Sequence, residues 1–177
     1  RRLILAGVLL GLAAVTKYQL LVVILPGLVL GGLLSVWRGS RTLNVFVIPM
    51  LATLVVFGLW QVCFMAYLGP SSFFENITFV RKAASGAALA FSPERAANAA
   101  RMLLEPGMLF GALVPAVSYG VLLGTRSDDR SVGWRVVSGF TLAALGWFVF
   151  ASVGWRRYAY PGMALACLPA AAFFVEG

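Results

Sequence analysis

Cationic side chains occur in this sequence where the chain has almost no room to turn. Lys17 stands between two long apolar runs, Leu3 to Val15 and Leu20 to Trp37. Arg156 and Arg157 occupy a second short turn between apolar runs near the other end of the sequence. Ionisable groups at membrane depth often mark the path of a substrate, and guanidinium groups match the geometry of phosphate. The chemistry that these positions indicate is therefore the binding of an anion, with phosphate as the best fit.

The arginine turn has further features that suit phosphate. Tyr158 follows directly, and Tyr160-Pro161 then opens the next apolar run. The first turn of a helix offers free N–H groups and a partial positive charge, which favour phosphate. Two simpler interpretations stay open: the lysine could snorkel from lipid to water, and the aromatic residues could form an interfacial belt.

Carboxylates are few, with six acidic residues in the chain. Asp128 and Asp129 form a pair, but they lie among arginines in a polar loop, so a solvated turn explains them better than catalysis. Glu75 lies in the aromatic segment Phe73-Phe74-Glu75-Asn76 and is the carboxylate best placed to contact a substrate. The sequence contains no histidine, which excludes a histidine base or metal ligand within the chain.

The composition indicates a membrane protein. Hydrophobic residues make up 61% and charged residues 11%, with a mean hydropathy of +0.93, whereas soluble domains are about half apolar and about a quarter charged. The net charge of +8 does not indicate nucleic acid, because the basic residues lie at the ends of apolar runs, where lipid headgroups are. Cys63 and Cys167 lie inside apolar runs and are predicted to be small core residues rather than a disulfide or metal pair.

The elements that must position these residues are apolar runs near the length of a bilayer span. We predict an all-α polytopic transmembrane helix bundle, one integral-membrane domain over residues 1–177. Residues 69–105 are predicted to form one long outer loop, in which Ser92-Pro93-Glu94 starts a short interfacial helix from Pro93 to Leu104. The six predicted spans are Leu3 to Val15, Tyr18 to Trp37, Leu43 to Tyr67, Pro106 to Gly124, Val136 to Val153, and Pro161 onward; Arg135 is assigned to the polar loop before the fifth.

The span count puts the unusual residues on one face of the membrane. An even number of spans separates Lys17 from residues 69–105 and from Arg156 and Arg157. Basic residues number seven on each side, but those on the side of the amino terminus lie mostly in short turns, where the positive-inside rule applies best. We therefore expect the amino terminus inside and the face with Lys17 outside.

Part of the chain resembles membrane glycosyltransferases of the GT-C class. The segment from Ala6 to Tyr18, AGVLLGLAAVTKY, followed by Leu25-Pro26-Gly27, is similar to a stretch of the protein mannosyltransferase-like and aminoarabinose transferase-like families. The turn Arg156-Arg157-Tyr158 with Pro161 resembles a turn that opens a late helix in those families. Phe74-Glu75-Asn76, with Arg81 further on, resembles a segment of their outer loop.

The resemblance implies a transferase that moves a sugar from a polyprenyl-phosphate donor to an acceptor lipid, glycan or protein, on the outer face of a bacterial inner membrane. The families' catalytic acid matches no residue of this chain, so we expect a fragment of a longer protein, with no cofactor of its own and metal dependence left open. The alternatives are a multi-pass transporter or lipid flippase, which predicts an internal repeat and charges near the midplane, and a purely structural membrane domain. By the resemblance, the donor phosphate would be bound by Lys17, Arg156, Arg157 and Tyr158, and the substrate loop would include Glu75, Asn76 and Arg81.

Overall fold

The computed structural model describes residues 1–37, 41–84, 92–105, 110–126, 130–152 and 156–176. Within these ranges the chain forms eight α-helices and no strand, which confirms the all-α prediction. Short 3-10 turns lie at Tyr18–Leu20, Arg41–Leu43 and Arg156–Tyr158. The helices are α1 Arg2–Thr16, α2 Leu21–Trp37, α3 Asn44–Leu68, α4 Pro70–Ala84, α5 Pro93–Leu104, α6 Phe110–Gly124, α7 Ser131–Phe150 and α8 Tyr160–Glu176.

Two of the described helices are long and apolar enough to cross a bilayer, α3 with 25 residues and α7 with 20. At about 1.5 Å per residue they reach roughly 37 and 30 Å, against a hydrocarbon core of about 30 Å. The other apolar helices, α1, α2, α8 and Val114–Gly124 of α6, are shorter. The two long helices indicate association with a membrane. Six spans stay a prediction.

Helices α1 and α3 form a close parallel pair. A Cβ added to Gly7 would lie 2.5 Å from the carbonyl oxygen of Pro49, and one added to Gly11 would lie 2.7 Å from the Cβ of Val56. Thr53 Oγ1 donates a buried hydrogen bond to the Gly7 carbonyl at 3.1 Å. Small residues spaced by four allow two helix backbones to approach in this way. Because both contacts advance together along the two helices, α1 and α3 run in the same direction.

Helices α2 and α7 form an antiparallel pair. Gly27 packs against Phe140, and a Cβ added to Gly139 would lie 2.9 Å from the backbone nitrogen of Gly31. Further along, Ser35 meets Arg135. Helices α6 and α8 also pack on α7. Gly162 of α8 contacts Leu145 of α7, and further along Gly120 of α6 lies close to both Pro169 of α8 and Ser138 of α7, so α8 runs back along α7.

These directions give the bundle two distinct ends. The carboxyl ends of α1, α3 and α7 lie at one end, which we call the Lys17 end; it carries residues 17–20, helices α4 and α5, and the 3-10 turn Arg156–Tyr158. The opposite end, the Arg135 end, carries the 3-10 turn at 41–43 and the start of α7. The residues singled out from the sequence lie mainly at the Lys17 end.

Two helices occupy the segment that was predicted to be a long loop. The predicted short helix is confirmed at its bounds, Pro93–Leu104, and its cap Ser92 accepts a hydrogen bond from the Arg95 N–H at 3.5 Å; its interfacial position stays a prediction. Helix α4, over residues 70–84, is a correction, because this stretch was assigned to the loop. Gly69, with a φ of +78°, turns the chain out of α3 so that a new helix can start.

Candidate functional site

Helix α5 is packed onto the carboxyl end of α7 at the Lys17 end. Ala99 and Leu103 are one turn apart on α5, and both are buried. They pack with Leu145 and Phe148 of α7 and with Ala159, which precedes α8. This shared apolar cluster holds α5 beside the turn that carries Arg157, while the charged side chains Arg95 and Arg101 stay exposed.

The arginine turn is held by contacts with aromatic residues. The guanidinium carbon of Arg157 lies 5.4 Å from the ring centroid of Tyr158. Tyr158 is half-buried and meets Trp147 edge to face, with centroids 5.3 Å apart. A cation over an aromatic face is stabilised by about 0.5–1 kcal/mol at exposed sites. The exposed Arg157 side chain is therefore oriented by a ring that the core itself holds in place.

The arginine turn leads directly into a helix start, as predicted. The 3-10 turn Arg156–Tyr158 is followed by α8, which begins at Tyr160 with Pro161 in its first turn. The partial positive charge of this helix end adds to that of Arg157. Arg156 is the first residue of the turn, and its side chain lies outside the part of the chain that the structure describes.

Lys17 is the C-cap of α1, and its side chain is exposed. Its backbone is extended, its N–H donates to the Ala13 carbonyl at 3.1 Å, and its own carbonyl accepts from the Leu20 N–H at 2.9 Å. The next residue, Tyr18, packs edge to face on Phe57 of α3, with centroids 5.7 Å apart. The turn is thus held by its backbone and by Tyr18, which leaves the ammonium group clear of the described side chains.

Lys17 and Arg157 share one end of the bundle but lie on different sides of it. The lysine belongs to the side built from α1, α2 and α3. The arginine belongs to the side built from α5, α7 and α8. No contact between described residues joins the two cations, so a single ligand would have to bridge them.

The predicted substrate residues lie on helix α4. Phe73 is buried and packs edge to face on Phe64 of α3, with centroids 6.0 Å apart, which anchors the helix at the Lys17 end. Glu75 and Asn76 are exposed on α4. Arg81 lies in the same helix, and its side chain lies outside the described part.

One side of α4 forms a shallow, wide-open cleft. The aromatic residues in it are exposed, with 62% of Phe74 and 72% of Phe79 accessible. The described residues that line the cleft are Ser71, Phe74, Glu75, Thr78 and Phe79.

The prediction from the sequence was most clearly wrong for Arg135. It was assigned to a polar loop, but α7 begins at Ser131 and the Arg135 side chain is only 3% exposed. All five of its N–H donors have acceptors: Nε donates to Gly124 O at 2.7 Å, Nη1 to Ser35 Oγ at 3.4 Å and Thr42 Oγ1 at 3.1 Å, and Nη2 to Arg126 O at 3.3 Å and Ser131 Oγ at 3.1 Å.

The role of Arg135 follows from those partners. They belong to the ends of α2 and α6, to the start of α7 and to the 3-10 turn at 41–43. With every donor used inside the protein, the guanidinium group has none left for a ligand. Arg135 is therefore a structural residue that joins three helices at the end opposite Lys17.

The two cysteines do not lie where the sequence predicted. Cys63 and Cys167 are exposed on α3 and α8, so the prediction of small core residues was wrong. A helix that faces lipid is as apolar as one that faces a core, and the sequence does not separate the two.

Asp128 and Asp129 lie outside the described residues. Among the described residues no group of three acidic or cysteine side chains could hold a metal ion.

Comparison of the chain with protein-family models, with curated proteins and with solved structures finds no match. The likeness to GT-C glycosyltransferases therefore depends on the residues quoted from the sequence.

Proposed function

We propose that this chain is part of a glycosyltransferase that moves a sugar from a polyprenyl-phosphate donor to an acceptor lipid, glycan or protein. One observation carries the proposal: the Lys17 end combines the exposed turn cations Lys17 and Arg157 with two helices that lie beside the bundle, α4 and α5, and α5 adds the exposed Arg95 and Arg101. At the opposite end, Arg135 is fully occupied by protein acceptors.

The cations would act on the donor phosphate. Arg157, oriented by Tyr158 and next to the start of α8, would bind the phosphate with its planar fork of donors. Arg156 and Lys17 would add positive charge around it. Neutralising the phosphate makes it a better leaving group, and fixed charges do this most effectively where water is excluded. The proposal assigns no catalytic acid, metal ligand or cofactor to the described residues.

The proposal includes a specific membrane arrangement. Six helices would cross a bacterial inner membrane, with the amino terminus inside and the Lys17 end outside. The alternating helix directions support this arrangement. The short helices are compatible with it, because α1, with 15 residues, reaches roughly 22 Å and a bilayer thins locally around short spans at modest cost.

The test is sugar transfer by the complete protein that contains this chain, reconstituted in liposomes with a polyprenyl-phosphate sugar. The variants are Lys17→Gln and Arg157→Gln, and the matched control is Arg130→Gln, an exposed cation at the Arg135 end. Loss of one cation from a phosphate site should lower transfer by about tenfold or more in each site variant, with no change in the control.

The same liposomes separate the rival functions. A lipid flippase would move the polyprenyl lipid between leaflets without transferring its sugar, and this result would contradict the transferase. A purely structural domain would leave both transfer and lipid movement unchanged in all three variants, which would contradict the proposed role of Lys17 and Arg157.

A further inference from the structure

Helices α2 and α3 leave an apolar groove between them at the Arg135 end, where α2 ends and α3 begins. Phe46, only 2% exposed, packs against Gly32 and forms the floor, while Leu33 and Val36 form an exposed rim. The groove is therefore built by two helices and offers nothing to a polar ligand. The described residues that line it are all apolar: Leu28, Val29, Gly32, Leu33, Val36, Leu43, Phe46, Val47 and Met50.

The groove has the depth of one membrane leaflet. Trp37, the last residue of α2, is 72% exposed, and tryptophan at the end of a helix placed across the bilayer, as in the proposed arrangement, marks the headgroup level. From Val36, next to this tryptophan, the lining extends along α2 to Leu28, a rise of about 12 Å. One leaflet contributes about 15 Å of hydrocarbon. The groove therefore matches the length of one acyl chain that enters from the interface.

The end of the groove at the interface is basic. The chain between α2 and α3 contains Arg38 and Arg41 and no acidic residue, and Leu43 of the same turn lines the groove. Arg135 donates to Thr42 Oγ1 and to the carbonyl of Arg126, so the loop after α6 begins beside this turn. That loop, residues 125–130, has two arginines and two aspartates. The net positive charge therefore comes from the turn at 38–41, and guanidinium groups suit phosphate.

We propose that this groove binds one acyl chain of an anionic phospholipid such as phosphatidylglycerol, with the lipid phosphate at the basic turn 38–41. The apolar lining accepts the chain, and the position at the interface leaves the headgroup in water. The two arginines favour an anionic headgroup over a zwitterionic one. The site lies at the end opposite Lys17, and it rests on the proposed membrane arrangement but not on sugar transfer.

Two other occupants fit less well. A helix from a second copy of the chain packs at an axis distance of about 8–10 Å, so it would lie across the rim formed by Leu33 and Val36 without filling the groove. It would also bring the arginines of the turn against apolar residues without an anion, which is unfavourable. Polyprenyl phosphate also has an apolar chain and a phosphate, but its proposed site is at the Lys17 end.

Binding is measured by native mass spectrometry of the chain in detergent micelles, titrated with phosphatidylglycerol and with phosphatidylcholine of the same acyl chains. Phosphatidylglycerol should bind about tenfold more tightly. The double variant Arg38→Gln and Arg41→Gln should lose this preference but keep its affinity for phosphatidylcholine. Gly32→Leu should weaken the binding of both lipids. A Cβ at this position would make ordinary contacts of 3.5 Å with Leu43 and 3.6 Å with Phe46, so the outer carbons of the leucine would fill the groove.

Matched variants keep the test independent of folding. Val36→Trp covers the groove from a side chain that is 57% exposed, and it should weaken both lipids as Gly32→Leu does. Its control is Val62→Trp, at a side chain of α3 that is 58% exposed and outside the groove. The control for the two arginines is the double variant Arg1→Gln and Arg2→Gln, which removes two exposed cations from the same end. Both controls should bind as the parent does, and circular dichroism checks that every variant is folded.

Several results would overturn the proposal. Equal affinity of the parent for the two phospholipids would remove the role of the basic turn, and equal losses in Val36→Trp and Val62→Trp would remove the role of the groove. Binding of polyprenyl phosphate that Gly32→Leu abolishes would assign the groove to that lipid. A dimer without bound lipid that Val36→Trp dissociates would assign it to a second copy.

The position of the lipid is tested by photocrosslinking in nanodiscs with phosphatidylglycerol that has a diazirine in one acyl chain. Crosslinks should concentrate on Leu33, Val36 and Val47 and should fall when unlabelled phosphatidylglycerol replaces phosphatidylcholine in the disc. An even spread over these residues and the exposed Leu59 and Val62 of α3 would show only the general lipid layer around the bundle, which would contradict a specific site.

Discussion

Replacing Arg135 should destabilise the helix bundle without affecting the Lys17 end. Arg135→Met keeps the apolar stem but removes all five donors. The Ser35 hydroxyl keeps its own bond to the Gly31 carbonyl at 3.1 Å, so the loss falls on the carbonyls of Gly124 and Arg126. An acceptor left buried without a donor costs about 1–3 kcal/mol. Since the bond to Arg126 is only partly buried, we expect the free energy of unfolding to fall by about 2–4 kcal/mol.

The assay is unfolding in mixed micelles with increasing sodium dodecyl sulfate, followed by tryptophan fluorescence. Arg135→Lys keeps the charge but has three donors that cannot reach five acceptors, so its stability should fall between those of the parent and Arg135→Met. Arg130→Met, at an exposed cation five residues away, should change stability by less than about 0.5 kcal/mol. If Arg135→Met were as stable as the parent or as Arg130→Met, the structural role assigned to Arg135 would be refuted.

Two further substitutions test the packing that positions the site. Gly7→Ala should destabilise the α1–α3 pair by about 1–3 kcal/mol, because its Cβ would meet the backbone of Pro49, whereas Gly58→Ala has open space at its Cβ and should be near neutral in the same unfolding assay. Leu103→Ala should speed amide hydrogen exchange in α5, because burial of this leucine holds α5 on α7, and should cost about 2–5 kcal/mol of docking energy. Leu104→Ala, at a side chain 65% exposed, is its control; equal exchange in the two variants would contradict the docking.

Features encoded locally could be predicted from the sequence. The helix Pro93–Leu104 was located to the residue because Ser92, Pro93 and Glu94 form a complete start signal, and the apolar helices were found because their runs are long. The prediction missed helix α4 because the polar composition of this segment outweighed the weaker signal of its apolar periodicity. Its apolar residues Phe73, Ile77, Val80 and Ala84 recur at helical spacing.

Features that depend on other parts of the chain could not be predicted. The environment of Arg135 is made by Ser35 and Thr42, which lie about a hundred residues earlier in the sequence. In an apolar chain, hydrophobicity also fails to separate helix faces in contact with protein from those in contact with lipid. The exposed positions of Cys63 and Cys167 were missed for that reason.

The central claim of the proposed function is that Lys17 and Arg157, at the same end of the bundle, both act on one lipid-linked phosphate. The most direct measurement is the affinity of this chain in nanodiscs for polyprenyl phosphate, in the parent, in Lys17→Gln, in Arg157→Gln and in the double variant, with Arg130→Gln as control. We expect each site variant to bind about tenfold more weakly, the double variant to bind more weakly still, and the control to bind as the parent does. Equal affinity in all five proteins would contradict the account.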